Sequence, residues 1–211
     1  MGAVSVTGSA GRAQLVTPEG APAPPTVTGS VPQMALVGGG PGDPDLLTVR
    51  AEALMAEATT VVADASVLHL ANAFAPDATI VAVADRTPAV DVLLGADRPV
   101  VRLYTGDTWL HPAHGAEAAA LTAAGVDYEA VAGVATEIAL PALAGIAVHV
   151  RHLAVACTIV DIDHAPTPTD PARTLVRVTD DLRAAAAADP AAVALATAGG
   201  GGLLVSGAVV R

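Results

Sequence analysis

The stretch Val37-Gly38-Gly39-Gly40-Pro41-Gly42-Asp43-Pro44-Asp45-Leu46-Leu47-Thr48-Val49-Arg50 reads as the end of a strand, a glycine-rich turn and the start of a helix. Met34 to Val37 is a short apolar run. Four glycines follow, and they admit backbone conformations that side chains forbid and let a ligand come close to the main chain. Asp43 and Asp45 stand where a helix N-terminus favours negative charge, and Pro44 suits a first helical turn. Strand, tight loop and helix together make the ligand-facing edge of an open α/β sheet. The pattern is not GxGxxG and has no Gly-Lys-Ser/Thr, so a nucleotide phosphate site is not the first reading. Taken alone, the stretch also fits a plain glycine-rich βα turn.

Outward from this loop, apolar segments alternate with alanine-rich ones. The pattern predicts strands at 34–37, 60–63, 79–83, 100–104 and 128–132, and helices at 44–57, 66–74, 88–94, 114–124 and 135–143. Such alternation argues for a parallel sheet with helices packed on it. Gly145 to Arg151 reads as a crossover. Beyond it, strands are expected at 155–162, 174–179, 193–197 and 203–210, with one helix at 180–188 and a proline-bearing loop at 163–171. This second half reads as a mixed sheet. Residues 1–32 are rich in Gly, Ala, Pro, Ser and Thr and are expected to be a disordered extension. The expected organisation is therefore extension 1–32, N-terminal α/β domain 33–133, and a shortened C-terminal α/β domain 134–211.

Composition narrows the classes. Hydrophobic residues make up 53% of the 211-residue chain but aromatics only 2%, so the core must be built from Val, Leu, Ile and Ala. All 10 basic residues are arginine, and the net charge of −11 disfavours a nucleic-acid groove or an anionic membrane surface. No apolar run reaches the ~18 residues of a membrane helix, and the N-terminus does not open like a secretory signal. Cys157 is the only cysteine, which excludes an intramolecular disulfide and fits a reducing cytoplasm, the expected location. It lies in an apolar run and reads as a small core residue.

Three segments in order carry a resemblance: Gly38 to Arg50, the strand-end Val100-Val101-Arg102-Leu103-Tyr104-Thr105-Gly106-Asp107, and Tyr128 to Thr136 followed by Pro141 to Ile146. Together they closely resemble the tetrapyrrole methylases, in particular the uroporphyrinogen-III C-methyltransferases, over roughly residues 34 to 210. The resemblance implies a two-domain α/β fold that binds S-adenosylmethionine in the cleft between the domains, and transfer of its methyl group to a tetrapyrrole. Relative to that family, a last helix and strand would be expected after Arg211. A homodimer is expected from the same source, and neither a nucleic acid nor a membrane is an expected partner.

Residue by residue, the resemblance puts Pro41, Thr105, Gly106, Asp107, Leu110, Ala135, Thr136, Thr179 and Gly199 on the cofactor. Gly106-Asp107 also fits a simple turn with a helix cap. Asp64, ending the second strand, matches a family aspartate proposed as proton acceptor, and a strand-end Asp is equally a common helix cap. Asp43 is a second acidic candidate, with a structural role preferred.

The departures point elsewhere in the same loop. The second motif continues Thr108-Trp109-Leu110-His111-Pro112-Ala113-His114-Gly115-Ala116-Glu117, so Ala113 stands at a family arginine position and Ala116 at a glutamate position, while Glu117 remains. Asp85 stands at a family lysine proposed as proton donor. A polycarboxylate substrate calls for arginines with bidentate geometry, and Arg50, Arg86, Arg102 and Arg151 are the candidates. His114 is a candidate replacement for the lost arginine. His111, His114, His149 and His152 raise a metal site, but the spacing is weak, no cysteine supports it, and no metal is expected. The activity that follows is methylation of uroporphyrinogen III. The alternatives are another precorrin methyltransferase, such as the precorrin-4 type, and a non-catalytic relative that binds cofactor or tetrapyrrole.

Overall fold

The computed structural model describes residues 31–161, 173–179, 192–196 and 202–206. Residues 1–30 of the expected N-terminal extension, the helix at 180–188, the whole proline-bearing loop at 163–171 and Gly199 lie outside them. Five parallel strands form the first sheet: β1 (Met34–Gly38), β2 (Thr60–Asp64), β3 (Thr79–Val83), β4 (Val100–Tyr104) and β5 (Glu129–Val131). Their order is β3-β2-β4-β1-β5, which puts β4 at the centre. The connecting helices are α1 (Val49–Ala56), α2 (Leu68–Phe74), α3 (Val90–Gly95) and α4 (His114–Ala123). α5 (Thr136–Leu143) follows β5. The second sheet holds β6 (Ala156–Asp161), β7 (Arg173–Thr179), β8 (Val193–Ala196) and β9 (Gly202–Ser206) in the order β6-β7-β9-β8. Only β6 and β7 run parallel there, so the expected mixed sheet is found.

Side chains alternate across a strand, and the two faces of the first sheet differ. On one, Ala35, Val37, Val61, Ala63, Val101 and Leu103 pack with Leu54 and Met55 of α1 and Leu70 of α2. On the other, Met34, Leu36, Val62, Val100 and Tyr104 pack with Leu93 of α3 and Leu121 of α4. Arg102 lies in register with Leu36 on one side and Val62 on the other, which puts it on this second face in the middle of the sheet. Leu140 of α5 packs with Val176 and Val205 of the second sheet, while Thr136 at its other end lies against Gly106 in the loop after β4.

The expected helix at 44–57 is broken. A 3-10 turn covers Pro44–Leu46, Leu47 and Thr48 are extended, and α1 begins only at Val49. The restart has a local cause: the Thr48 hydroxyl accepts a hydrogen bond from the Ala51 N–H at 3.3 Å, an N-cap inside the expected helix. A 3-10 turn at Ala65–Val67 likewise precedes α2, and α3 starts two residues after its expected beginning. There the Ala89 N–H, just ahead of the helix, is bound to Glu117 Oε1 at 2.7 Å.

Candidate active site

Three loops meet at the C-terminal edge of the first sheet: that after β1 (39–43), that after β4 (105–113) and that after β5 (132–135). Gly40 and Gly106 exchange backbone hydrogen bonds at 3.1 and 2.7 Å, and Gly39 N donates to Tyr104 O at 2.7 Å. A Cβ on Gly38 would lie 2.6 Å from Gly133 N, and one on Gly133 would meet Gly38 and the Gly106 carbonyl. Glycine is required here because three backbones touch. Gly40 and Gly42, with φ of 66° and 99°, flank the half-buried Pro41, and His69 Nε2 clamps this loop by a 2.7 Å contact with Gly42 O.

Asp107 joins two of the loops. Its Oδ1 accepts from Trp109 N at 2.9 Å and its Oδ2 from Gly133 N at 3.1 Å. The simple-turn reading is thus half of its role. Thr108 adds a 2.7 Å bond from its hydroxyl to Val131 O. Thr105 N donates to Asp64 Oδ2 at 3.0 Å, and the Thr105 hydroxyl makes a short hydrogen bond with Ser66 Oγ. The first turn of α5 docks onto Gly106: a Cβ there would stand 3.0 Å from Thr136 Oγ1. That hydroxyl is buried and has no hydrogen-bond partner in the protein. Ala135 is the N-cap of α5 and contributes no side-chain cap.

Beneath the loops lies a buried ionic network. Asp64 is fully buried, with Arg102 Nη2 at 2.7 Å from Oδ1 and His111 Nε2 at 2.8 Å from Oδ2. The Arg102 contact is an ion pair without hydrogen-bond alignment at Oδ1. Glu117 Oε1 accepts from Arg102 Nε at 3.1 Å, and its Oε2 accepts a short bond from the Tyr104 hydroxyl. The Arg102 guanidinium also stacks 4.4 Å over the Tyr104 ring and donates to Leu103 O at 3.0 Å. Burial pushes the Asp64 carboxyl up, but the His111 hydrogen bond, Arg102 and the Thr105 N–H outweigh it, and the net result lies below the usual aspartate value. Burial and Glu117 hold Tyr104 protonated. Ala113 N donates to His111 Nδ1 at 3.2 Å, which places the His111 proton on Nε2, toward Asp64.

Several expected roles change. The strand-end cap belongs to Asp85, whose Oδ1 accepts from Ser66 N at 3.0 Å, while Asp64 makes no cap bond. Asp43 does cap, accepting from Asp45 N. Arg102 is buried in the network and offers nothing to a substrate at the surface. Arg50 is held bidentately by Glu129, at 2.9 and 2.6 Å, which fixes α1 to β5. His114, only 5% exposed, has no partner on either ring nitrogen. Burial, with the neighbouring His111, lowers its pKa more than Glu117 and Asp107 raise it. It is roofed by Trp109, whose ring lies 4.4 Å away and is itself 58% exposed. Leu110 beside it is also exposed. Arg86 lies in the turn after β3 in a left-handed conformation (φ 61°), and Arg151 is exposed in the turn closed by Val150 and Ala154. Thr179 ends β7 opposite Gly202 of β9. Cys157 is half-buried against the second core, and burial raises its pKa. Among the described residues no three His, Cys, Asp or Glu side chains gather as a metal site, and no helix is long and apolar enough to cross a membrane.

One group escaped the sequence. Glu137, in the first turn of α5, is half-buried at this junction, and burial raises its carboxyl above the ordinary range. Its only sequence signal is a charge in an otherwise apolar segment, Ala135-Thr136-Glu137-Ile138-Ala139-Leu140.

Comparison with known proteins fits this edge. The profile of the tetrapyrrole (corrin/porphyrin) methylases matches residues 33–200. A uroporphyrinogen-III C-methyltransferase of Methanobacterium ivanovii is 32% identical over 143 residues, 63% of this chain and 62% of that protein. A siroheme synthase of Methylococcus capsulatus is 38% identical over 115 residues, 48% of this chain and 24% of that one. The chain thus spans about a quarter of that siroheme synthase and under two thirds of the archaeal enzyme. Among solved structures, a uroporphyrin-III-C-methyltransferase of Thermus thermophilus superposes with a TM-score of 0.66 at 26% identity, covering 86% of this chain and 94% of that one. The Thermus enzyme complexed with S-adenyl homocysteine gives 0.55 at 32% identity, over 69% of each chain. A cobalt precorrin-4 methyltransferase gives 0.58 at 26%, over 68% and 67%. The methyl donor of this family is S-adenosylmethionine. With its glycine-built loop junction and a profile match across most of its length, the chain belongs to the tetrapyrrole (corrin/porphyrin) methylases.

Proposed function

We propose that the chain is an S-adenosylmethionine-dependent C-methyltransferase acting on uroporphyrinogen III. The observation that carries the cofactor assignment is the buried, unpartnered Thr136 hydroxyl facing Gly106 at the three-loop junction. A buried polar group without a partner is costly, and a ligand hydroxyl or amino group at this junction would satisfy it. The glycines fit too, since Gly40 and Gly106 carry no Cβ at the loop junction and leave room there for a ligand to approach the main chain. Pro41, Thr105, Gly106, Ala135 and Thr136 would hold the cofactor, with Leu110 and Trp109 beside it and Asp107 keeping two loops together from beneath. Thr179 and Gly199 are carried over from the resemblance alone.

When bound, S-adenosylmethionine supplies an electrophilic methyl group on a sulfonium centre and leaves as a thioether. The chain's own contribution is position and dryness. The fixed loop junction holds donor and acceptor at reacting distance, which accounts for much of the rate gain in such transfers. Arg86 and Arg151 are the proposed partners of the substrate carboxylates. A division into units at 133–134, a homodimer and a cytoplasmic location complete the proposal; the exposed Leu143, Leu153 and Val155 offer apolar surface to a second copy. A monomer by light scattering at micromolar concentration would count against the dimer.

A precorrin substrate is the second reading. It is favoured by the Thr105-Gly106-Asp107 wording and by the likeness to the cobalt precorrin-4 methyltransferase. Anaerobic incubation of the protein with S-adenosylmethionine and either uroporphyrinogen III or a precorrin separates the two. Two added methyl groups by mass on uroporphyrinogen III are expected; product from a precorrin alone would replace that substrate.

A further inference from the structure

We propose that the Glu137 carboxylate, with Asp64 acting as a fixed buried anion, takes the proton that the methylated ring must lose. The inference rests on the reading of the chain as a C-methyltransferase. When a ring carbon uses its π electrons to form the new C–CH3 bond, the macrocycle is left with one extra positive charge. A C–H bond then breaks, its electron pair returns to the ring, and the proton needs an acceptor. The acceptor becomes a neutral carboxylic acid and releases the proton to water before the next turnover.

Asp64 is badly placed for this. Its carboxylate is fully buried and is already engaged by Arg102, by His111 Nε2 and by the Thr105 N–H. Protonation would leave the Arg102 charge half-compensated inside the sheet, a costly state. The other carboxylates at this edge are also committed. Asp43 caps Asp45 N, Asp85 caps Ser66 N, and Asp107 binds Trp109 N and Gly133 N.

Glu137 differs in place and in surroundings. It follows directly on Thr136, whose buried hydroxyl lacks a partner at Gly106, so it stands beside the position assigned to the cofactor. Pro141 has no N–H to give the Glu137 carbonyl four residues back, which loosens this first turn. The carboxyl is half-buried, and burial is the main influence on it. Its own backbone N–H, Arg86 and His111 act against that influence, and Asp107 acts with it. The net result is a carboxyl held above its ordinary value, the direction that favours a general base. Arg86, in the loop after the edge strand β3, acts on this carboxyl from a left-handed backbone conformation. Strained backbone of that kind persists where the surrounding structure enforces it, commonly at functional sites.

The test compares wild type, Glu137→Gln and Glu137→Asp in anaerobic methyl transfer on uroporphyrinogen III and precorrin substrates, as a function of pH. S-adenosylhomocysteine affinity is measured by calorimetry on the same preparations. Expected is a fall in kcat of about 100-fold or more for Glu137→Gln, with KM and calorimetric affinity within about twofold of wild type. The acid limb of the pH profile should vanish in Glu137→Gln and return, displaced, in Glu137→Asp. A Glu137→Gln protein that keeps both kcat and the acid limb overturns the inference and leaves the methyltransferase reading standing. Absence of product from wild type on every tetrapyrrole overturns that reading, and the inference with it.

Discussion

The two faces of the first sheet solve the same burial problem differently. One is closed by aliphatic side chains of β1, β2 and β4 against α1 and α2. The other carries Arg102 in the middle of the central strand, with Asp64, Glu117, Tyr104 and His111 gathered round it. Apolar packing tolerates substitution that keeps its volume, whereas a buried charge is tolerable only while each partner stays in place. The polar face therefore ties distant segments together. Glu117 reaches Ala89 ahead of α3, Asp64 reaches the Thr105 N–H, and His111 fixes the loop that holds Asp107. The face that looks expensive is the one that positions the loops.

Arg102→Ala should show the largest effect, about 3–5 kcal/mol of lost stability, because it strands two buried carboxylates. Urea unfolding measures it; a loss no greater than that of a surface substitution would mean the charges find water and the network holds nothing. On the apolar face, Leu70→Ala should cost about 3 kcal/mol by the same measurement. That loss should not change with pH, and a marked pH dependence would erase the contrast between the faces. Gly133→Ala should cost about 2 kcal/mol from overpacking, since the new Cβ meets Gly38 and the Gly106 carbonyl.

Acid should single out the polar face. The Asp64 pKa is depressed in the folded state, so its stabilisation is present above the ordinary aspartate value of about 3.9 and is lost as pH falls through its lower folded value. His114 is also depressed: the unfolded chain binds its proton first, so stability declines as pH drops below about 6.5. Unfolding midpoints followed from pH 8 to pH 5 should fall in wild type and stay flatter in His114→Gln. Parallel curves would remove His114 from the acid response. The smallest effect is expected at Arg86. Glycine there relieves the left-handed strain, so Arg86→Gly should change stability by no more than about 1 kcal/mol while weakening tetrapyrrole binding. A variant that binds as wild type does would exclude Arg86 as a substrate contact.

Much of this architecture was legible in the chain. The strands at 79–83 and 100–104 fall where the apolar runs place them, and the glycine loop lies at the sheet edge it suggests. Local patterns report local structure well. The α1 break needed only attention to Thr48, a cap hidden in a helical run. The start of α3 was beyond reach, because it depends on a carboxylate 28 residues further along the chain. The site was less legible for the same reason. Sequence does not say that Glu129 lies opposite Arg50, or that Asp64 and Glu117 lie opposite Arg102. His114 reads in the sequence as a replacement for the lost arginine, and nothing there says that it is buried beside Trp109. Asp64 ends its strand as the pattern predicts, yet the cap on the turn that follows comes from Asp85.

In the proposed function, the junction of Gly40, Gly106 and Gly133 beside Thr136 docks the methyl donor. Calorimetric titration of the purified protein with S-adenosylhomocysteine, repeated on Gly133→Val, tests it most directly. Saturable binding to the wild type is expected, and its loss in the variant while the variant's far-ultraviolet circular dichroism is retained. No binding to the wild type, or undiminished binding to a folded Gly133→Val, would contradict it.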